Sequence, residues 1–390
     1  MGGMIYLDNA ETTRVDPEVV EVMRLYMLEK YGVPIGEFGS TMEEESSEVL
    51  EGAREVIARR INAGPGEIVF TSGGTESNAL AIKGVAHSKR HEGTKVVASK
   101  IEHLSVLDTL RGLGQGGFDT LLLDVDGEGF VDLEGVRRSV DGARLVSVQH
   151  ANQEIGTLQD LKAIGEVCEE KDVLFHCDAV QSFTKEPIDV EKMGIHLLSV
   201  SSHLIHGPKG VGALFVRKGV HPEPLLLGDD REFGLRAGTP NIPGIAGFAK
   251  AVDLVNAETV ERMRGLRDQA IDLLLEIEDS KLNGPRGERR LCNNVNVTFR
   301  YVEGEAVLMH ADLEGLVINT GSACYSERLE VSHVIRAIGG THEEAHGSIR
   351  LSPSKWTTGG EIVSASEILD RVVEKLRKVS PLARARRVST

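Results

Sequence analysis

The residues of this 390-residue chain best suited to chemistry fall where short apolar runs end. Leu197-Leu198-Ser199-Val200 leads into Ser201-Ser202-His203-Leu204-Ile205-His206, then a Gly207-Pro208-Lys209-Gly210 turn and a second apolar run to Val216. That pattern reads as strand, site loop, strand, and loops of this kind usually carry chemistry. Ser72-Gly73-Gly74-Thr75-Glu76-Ser77 follows another apolar run and offers backbone N–H groups and hydroxyls at the start of a helix. Such a stretch either cups a phosphate or is a plain Gly-rich turn. Asp178 closes the run Val173 to Cys177, where it caps a turn or helix or sets a carboxylate against a protonated ring nitrogen. His103 is either a proton carrier or a packed or surface histidine. Arg350 has the planar fork that grips a carboxylate with two bonds, its alternative being a surface ion pair.

Cys324 lies among small residues, Thr320-Gly321-Ser322-Ala323-Cys324, which leave a thiol mobile and accessible. Cys168, on a helix, and Cys177, in a strand, read as structural. The four cysteines are far apart with no Cys-x-x-Cys pair, so neither a disulfide framework nor a standard zinc site is expected.

Parallel strands would bring these residues to one edge. From residue 65 to about 216, apolar runs at Ile68 to Thr71, Lys95 to Ser99, Thr120 to Leu123, Arg144 to Gln149, Val173 to Cys177, Leu197 to Val200 and Gly212 to Val216 alternate with segments mostly of helical length. This predicts an α/β fold, a mostly parallel seven-stranded sheet with helices on both faces. Ligands bind such sheets beyond the carboxyl ends of the strands, where Gly74, Thr75, His103, Asn152, Gln153, Asp178, Ser201 and His203 fall. Ile5 to Thr13 reads as a short strand running into a polar turn, and Asp16-Pro17 starts a helix. After an acidic loop, Leu227 to Thr239, a long helical region from about Ile245 to Ile277 precedes a smaller α+β domain with strands near Asn294 to Phe299 and Ile349 to Leu351. The expected division is a large domain over 15–255 and a small domain built from 1–14 and 256–390, with a basic tail that frays.

A formal charge of −16, from 60 acidic and 44 basic residues, argues against a general nucleic-acid binder, which neutralises phosphates with clustered Lys and Arg. No run is apolar enough to span a membrane, and the N-terminus lacks the basic and apolar regions of a signal peptide. The default compartment is the cytoplasm.

In combination, these segments resemble the NifS/IscS cysteine desulfurases of the class V aminotransferase superfamily, over about residues 4 to 380. The matching pieces are the Leu-Asp-x-x-x-Thr-Thr opening at Leu7, His103, Asn152-Gln153-Glu154-Ile155-Gly156, Asp178-Ala-x-Gln181, Arg236-Ala-Gly-Thr239, Arg350 and the Ser-Ala-Cys324 loop. The resemblance implies a fold-type I pyridoxal 5'-phosphate enzyme acting on L-cysteine, with a persulfide on Cys324 passed to an iron–sulfur scaffold or another acceptor. It further implies that His103 stacks on the cofactor ring and Asp178 meets its nitrogen. Gln181 reaches the ring hydroxyl, while Gly74, Thr75, Ser201 and His203 surround the cofactor. Thr239 reaches a neighbouring cofactor phosphate across a homodimer. Gln153 replaces an asparagine that contacts cofactor and substrate. Asn152 and Arg350 then face the substrate.

Four departures stand out. Glu11 takes the place of an alanine, Tyr325 and Val331 alter the cysteine loop, and Tyr31 to Thr41 keeps little of the family's pattern. Leu204 stands where the family has the lysine that forms the Schiff base, and Lys209 has its own counterpart in the family's Gly-Pro-Lys-Gly turn. Leucine cannot supply that amine. The readings left open are a slow desulfurase with noncovalently held cofactor, a partner protein serving as sulfur carrier or cluster scaffold, a cofactor-free protein, and a lyase or epimerase acting on another amino acid.

Overall fold

The computed structural model describes residues 3–34, 39–88, 93–321, 331–381 and 383. Its strands are β1 (Ile5–Tyr6), β2 (Ile68–Thr71), β3 (Lys95–Ser99), β4 (Asp119–Leu123), β5 (Ala143–Ser147), β6 (Leu174–Asp178), β7 (Leu197–Ser201), β8 (Gly212–Val216), β9 (Ser280–Leu282), β10 (Val295–Phe299), β11 (Leu316–Val317), β12 (Asn319–Thr320) and β13 (Ser348–Leu351). Seven of them form one sheet in the order β2-β8-β7-β6-β5-β3-β4. The strands from β7 through β4 run parallel, and β8 lies antiparallel to both β7 and β2. Each predicted run is therefore a strand, shifted by no more than a residue or two at most ends.

The strands are short and apolar because both faces are covered. Successive side chains alternate between two cores: Val97, Val146 and Phe175 enter one, while Val96, Ala98 and Leu145 enter the other. A separate core joins Leu7 to Leu274, Val297, Phe299, Ile349 and Leu369, around the antiparallel sheet β12-β13-β10-β9. The helix Pro17–Leu28 begins as its composition predicts, with Asp16 accepting from the Glu18 N–H at 2.9 Å and Pro17 in the first turn. The long helical region is instead two helices, Ile242–Asp253 and Ala257–Leu275. Asn256 ends the continuity, because its side chain caps the second helix at the Thr259 N–H, 2.9 Å away. Among the described residues no helix is long and apolar enough to cross a membrane.

Residues 8–13 strap the two sheets together. The Asn9 N–H donates to the Ser352 carbonyl beside β13, and four residues on the Thr13 N–H donates to the His203 carbonyl after β7 at 3.0 Å. Anything between these anchors faces the space where the sheets meet.

Candidate active site

A cavity of about 220 Å³ opens at the carboxyl edge of the large sheet, and Gly74, Thr75, Asn78, His103, Gln153, Asp178, Gln181, His203, Leu204 and Arg350 all line it. Strand order explains the convergence. β2 leads to the Gly73-Gly74 turn, β3 to His103, β5 to Gln153, β6 to Asp178 and β7 to His203, so five strands that run the same way each deliver one group, while antiparallel β8 delivers none.

The Gly-rich turn is shaped by close approach. Gly73 has φ of +149°, a conformation that favours glycine, and a Cβ on Gly74 would lie 2.5 Å from Val180 Cγ2. The helix Gly74–Ser88 starts here with its first N–H groups free of intrahelical partners. Ser201 Oγ is buried without a hydrogen-bond partner, and a Cβ on Gly73 would sit 4.0 Å from it. Glu76 braces the turn, accepting from the Ser72 N–H at 2.7 Å and from Arg236 Nε at 3.1 Å. Burial opposes its charge, but these bonds outweigh it and hold the carboxyl below its usual range.

Asp178 sits in the wall with two neutral donors, Asn78 Nδ2 at 2.7 Å and the Val180 N–H at 2.9 Å. Burial raises its pKa, with nearby His103 pulling the other way. His103 caps the helix Leu104–Gln115, and its Nδ1 is engaged by the Ser105 N–H at 3.1 Å and lies 2.8 Å from Ser105 Oγ. Gln181 Nε2 donates to the Ala10 carbonyl at 2.9 Å, and His203 Nδ1 lies 3.3 Å from Thr12 Oγ1. An unpartnered hydroxyl beside a glycine turn, with a buried carboxylate and an imidazole lining the same cavity as that turn, fits a phosphorylated, protonatable aromatic ring such as pyridoxal 5'-phosphate.

Leu204 is 2% exposed and lines both this cavity and a neighbouring one. Lys185 belongs to that neighbour. Burial lowers its pKa to about 8, and its Nζ donates to the Gln181 carbonyl at 3.0 Å. Lys209 is exposed and lines neither cavity.

Arg350 is buried rather than on the surface. Its Nη2 donates to Asp8 Oδ1 at 2.9 Å and Glu11 Oε2 at 3.4 Å, and its Nη1 donates to the Gln153 carbonyl at 3.2 Å. Three described residues expected at the site do not line the cavity, and of these Ser201 is buried beside the glycine turn. Asn152 Oδ1 accepts from the Glu154 and Ile155 N–H groups and Nδ2 donates to the Ile101 carbonyl, so this amide holds a turn together and is absent from the lining. Thr239 is exposed on its loop and does not line the cavity of its own chain. Cys324 lies outside the described residues, as does part of the altered Tyr31 to Thr41 loop. Cys168, Cys177 and Cys292 are buried, which pushes the Cys168 and Cys292 thiols up to about 12 and Cys177 well above its usual value.

Asn78 and Glu11 were not among the residues singled out for this cavity. Asn78 follows the glycine turn by one helical turn, a spacing that could have marked it. Nothing local links Glu11 to Arg350.

The fold and cavity define a class, and comparison with known proteins agrees. The chain belongs to the aminotransferase class-V family, whose model matches residues 5–352. It is 45% identical to the cysteine desulfurase IscS of Dictyoglomus turgidum, covering 97% of this chain and 96% of that protein, and 46% identical to cysteine desulfurase IscS 1 of Archaeoglobus fulgidus, covering 98% and 100%. Among solved structures, a NifS-like protein superposes with a TM-score of 0.88 at 34% identity, covering 95% of this chain and 100% of its own. A structure of SspA in complex with cysteine gives 0.80 at 34% identity, over 90% and 99%. Within class V, the chain is a member of the IscS-type cysteine desulfurase family.

Proposed function

We propose that the protein mobilises sulfur from L-cysteine, with pyridoxal 5'-phosphate held in the cavity and Cys324 taking the sulfur as a persulfide for iron–sulfur or other thio-cofactor assembly. The observation that carries this reading is the meeting of Gly74, Thr75, His103, Asp178, Gln181 and Arg350 around one cavity. When bound, the cofactor supplies an electron sink that loosens bonds at the amino acid's α-carbon. Asp178 keeps the ring nitrogen protonated, and its buried setting strengthens that interaction. Gly74, Thr75 and Ser201 take the phosphate. His103 covers the ring; with Nδ1 turned to Ser105, Nε2 is the atom that carries protons. Arg350 meets the α-carboxylate, and Thr239 serves the phosphate of a second copy in a homodimer.

Leu204 gives this version of the site its character. A leucine offers no amine, so the cofactor is held by the surrounding polar contacts alone and α-carbon proton transfer falls to other groups. Slow turnover follows. The apolar, buried Leu204 also favours a second reading, in which the chain hands sulfur or a cluster to a partner through Cys324 without turning over cysteine. A turnover assay with an added thiol reductant separates them: alanine from cysteine, with sulfide released as the reductant cleaves the persulfide, both accelerated in Leu204→Lys, support the desulfurase, whereas capture of a scaffold protein that depends on Cys324 without turnover supports the carrier.

A further inference from the structure

We propose that Glu11 is a built-in competitor for Arg350, a half-exposed carboxylate that an amino-acid ligand must displace to seat its own. This rests on the reading that Arg350 receives a carboxylate. Arg350 has a side chain only 5% exposed, and its Nε is buried without a hydrogen-bond partner. The adjacent Nη2 is shared by Asp8 and Glu11. Those two carboxylates differ in how firmly they are held. Asp8 is 11% exposed, accepts a second bond from Asn319 Nδ2 at 2.9 Å, and lies in a bridge to Ser352. Glu11 is 53% exposed and reaches Nη2 by one longer contact of 3.4 Å.

The charges decide the outcome. Asp8 already balances Arg350, so Glu11 adds a negative charge at the mouth of the cavity, which both it and Arg350 line. An arriving carboxylate could bond Nε and Nη2 side by side, the geometry in which a guanidinium binds best, but only after Glu11 swings away. A ligand with an amine and no carboxylate meets no such competition. Glu11 is thus a specificity residue that weakens carboxylate binding.

Calorimetric titration of the full chain, incubated with pyridoxal 5'-phosphate, is the test. L-Alanine serves as the amino acid with no sulfur to release and ethylamine as the amine lacking a carboxylate. Glu11→Ala and Glu11→Gln are each expected to bind L-alanine about twofold to fivefold more tightly at low salt, the range for one half-exposed ion pair, with ethylamine unchanged or weaker. Gain in Glu11→Ala without gain in Glu11→Gln would point to shape rather than charge and overturn the proposal. So would equal L-alanine affinity in both variants and the wild type. Arg350→Gln separates the two layers: if it loses L-alanine while the Glu11 variants are unaltered, only the Glu11 proposal falls. If it binds as the wild type does, the reading of Arg350 falls and takes the proposal with it.

Discussion

Asn78 and Asp178 meet at 2.7 Å in the lining of the cavity, one from the first turns of the helix after β2 and the other from the end of β6. The same Asn78 amide reaches Ser105 Oγ at 2.8 Å, and Ser105 also contacts His103. One neutral side chain thus joins Asp178, through Ser105, to His103, the two residues proposed to meet the ring nitrogen and the ring face.

Asn78→Ala should therefore weaken pyridoxal 5'-phosphate binding without unfolding the protein. Removing a donor to a buried carboxylate costs about 1–3 kcal/mol, which corresponds to roughly a fivefold to hundredfold rise in Kd. A fluorescence titration of the cofactor checks this, and Asp178→Ala should lose more.

The glycine turn gives a steric prediction. Gly74→Ala places a methyl 2.5 Å from Val180 Cγ2, and a β-branched side chain has little room to turn away. Overpacking of this kind costs about 1–3 kcal/mol, seen as a lower denaturation midpoint. Adding Val180→Ala should return part of the loss, and the double-mutant cycle reads out their coupling.

Glu102 makes stability depend on pH. Complete burial, opposed by bonds from Ser99 and Gln149, raises its pKa from the ordinary carboxylate value to about 8. The folded protein then holds a proton that the unfolded chain releases near pH 4.5. Its contribution is full below that pH and is lost as pH rises through about 8, by up to about 1.4 kcal/mol per pH unit between the two. Denaturation from pH 5 to 8 should show the wild type losing stability relative to Glu102→Gln. A constant difference would reject the assignment.

How much of this could be read from the chain follows from the kind of signal each part leaves. Strands β2 to β8 were legible because a strand covered on both faces must be apolar along its length, and the site residues were legible because parallel strands deliver their ends to one edge. The break at Asn256 was not, since a polar cap between two apolar stretches leaves the helical periodicity nearly intact. Asn152 looked like a binding group but is consumed by the backbone around it. The contact between Glu11 and Arg350 spans 339 positions, and no local pattern encodes such a pairing.

The most direct test asks whether the cavity holds the cofactor through polar contacts, with no lysine bonded to it. The protein is loaded with pyridoxal 5'-phosphate, treated with borohydride, and analysed by mass spectrometry beside Leu204→Lys and Asp178→Ala. The wild type is expected to retain cofactor through gel filtration yet carry no reduced adduct, Leu204→Lys to gain one at position 204, and Asp178→Ala to retain none. An adduct on any wild-type lysine, Lys185 included, or failure of both wild type and Leu204→Lys to retain cofactor, would contradict this expectation.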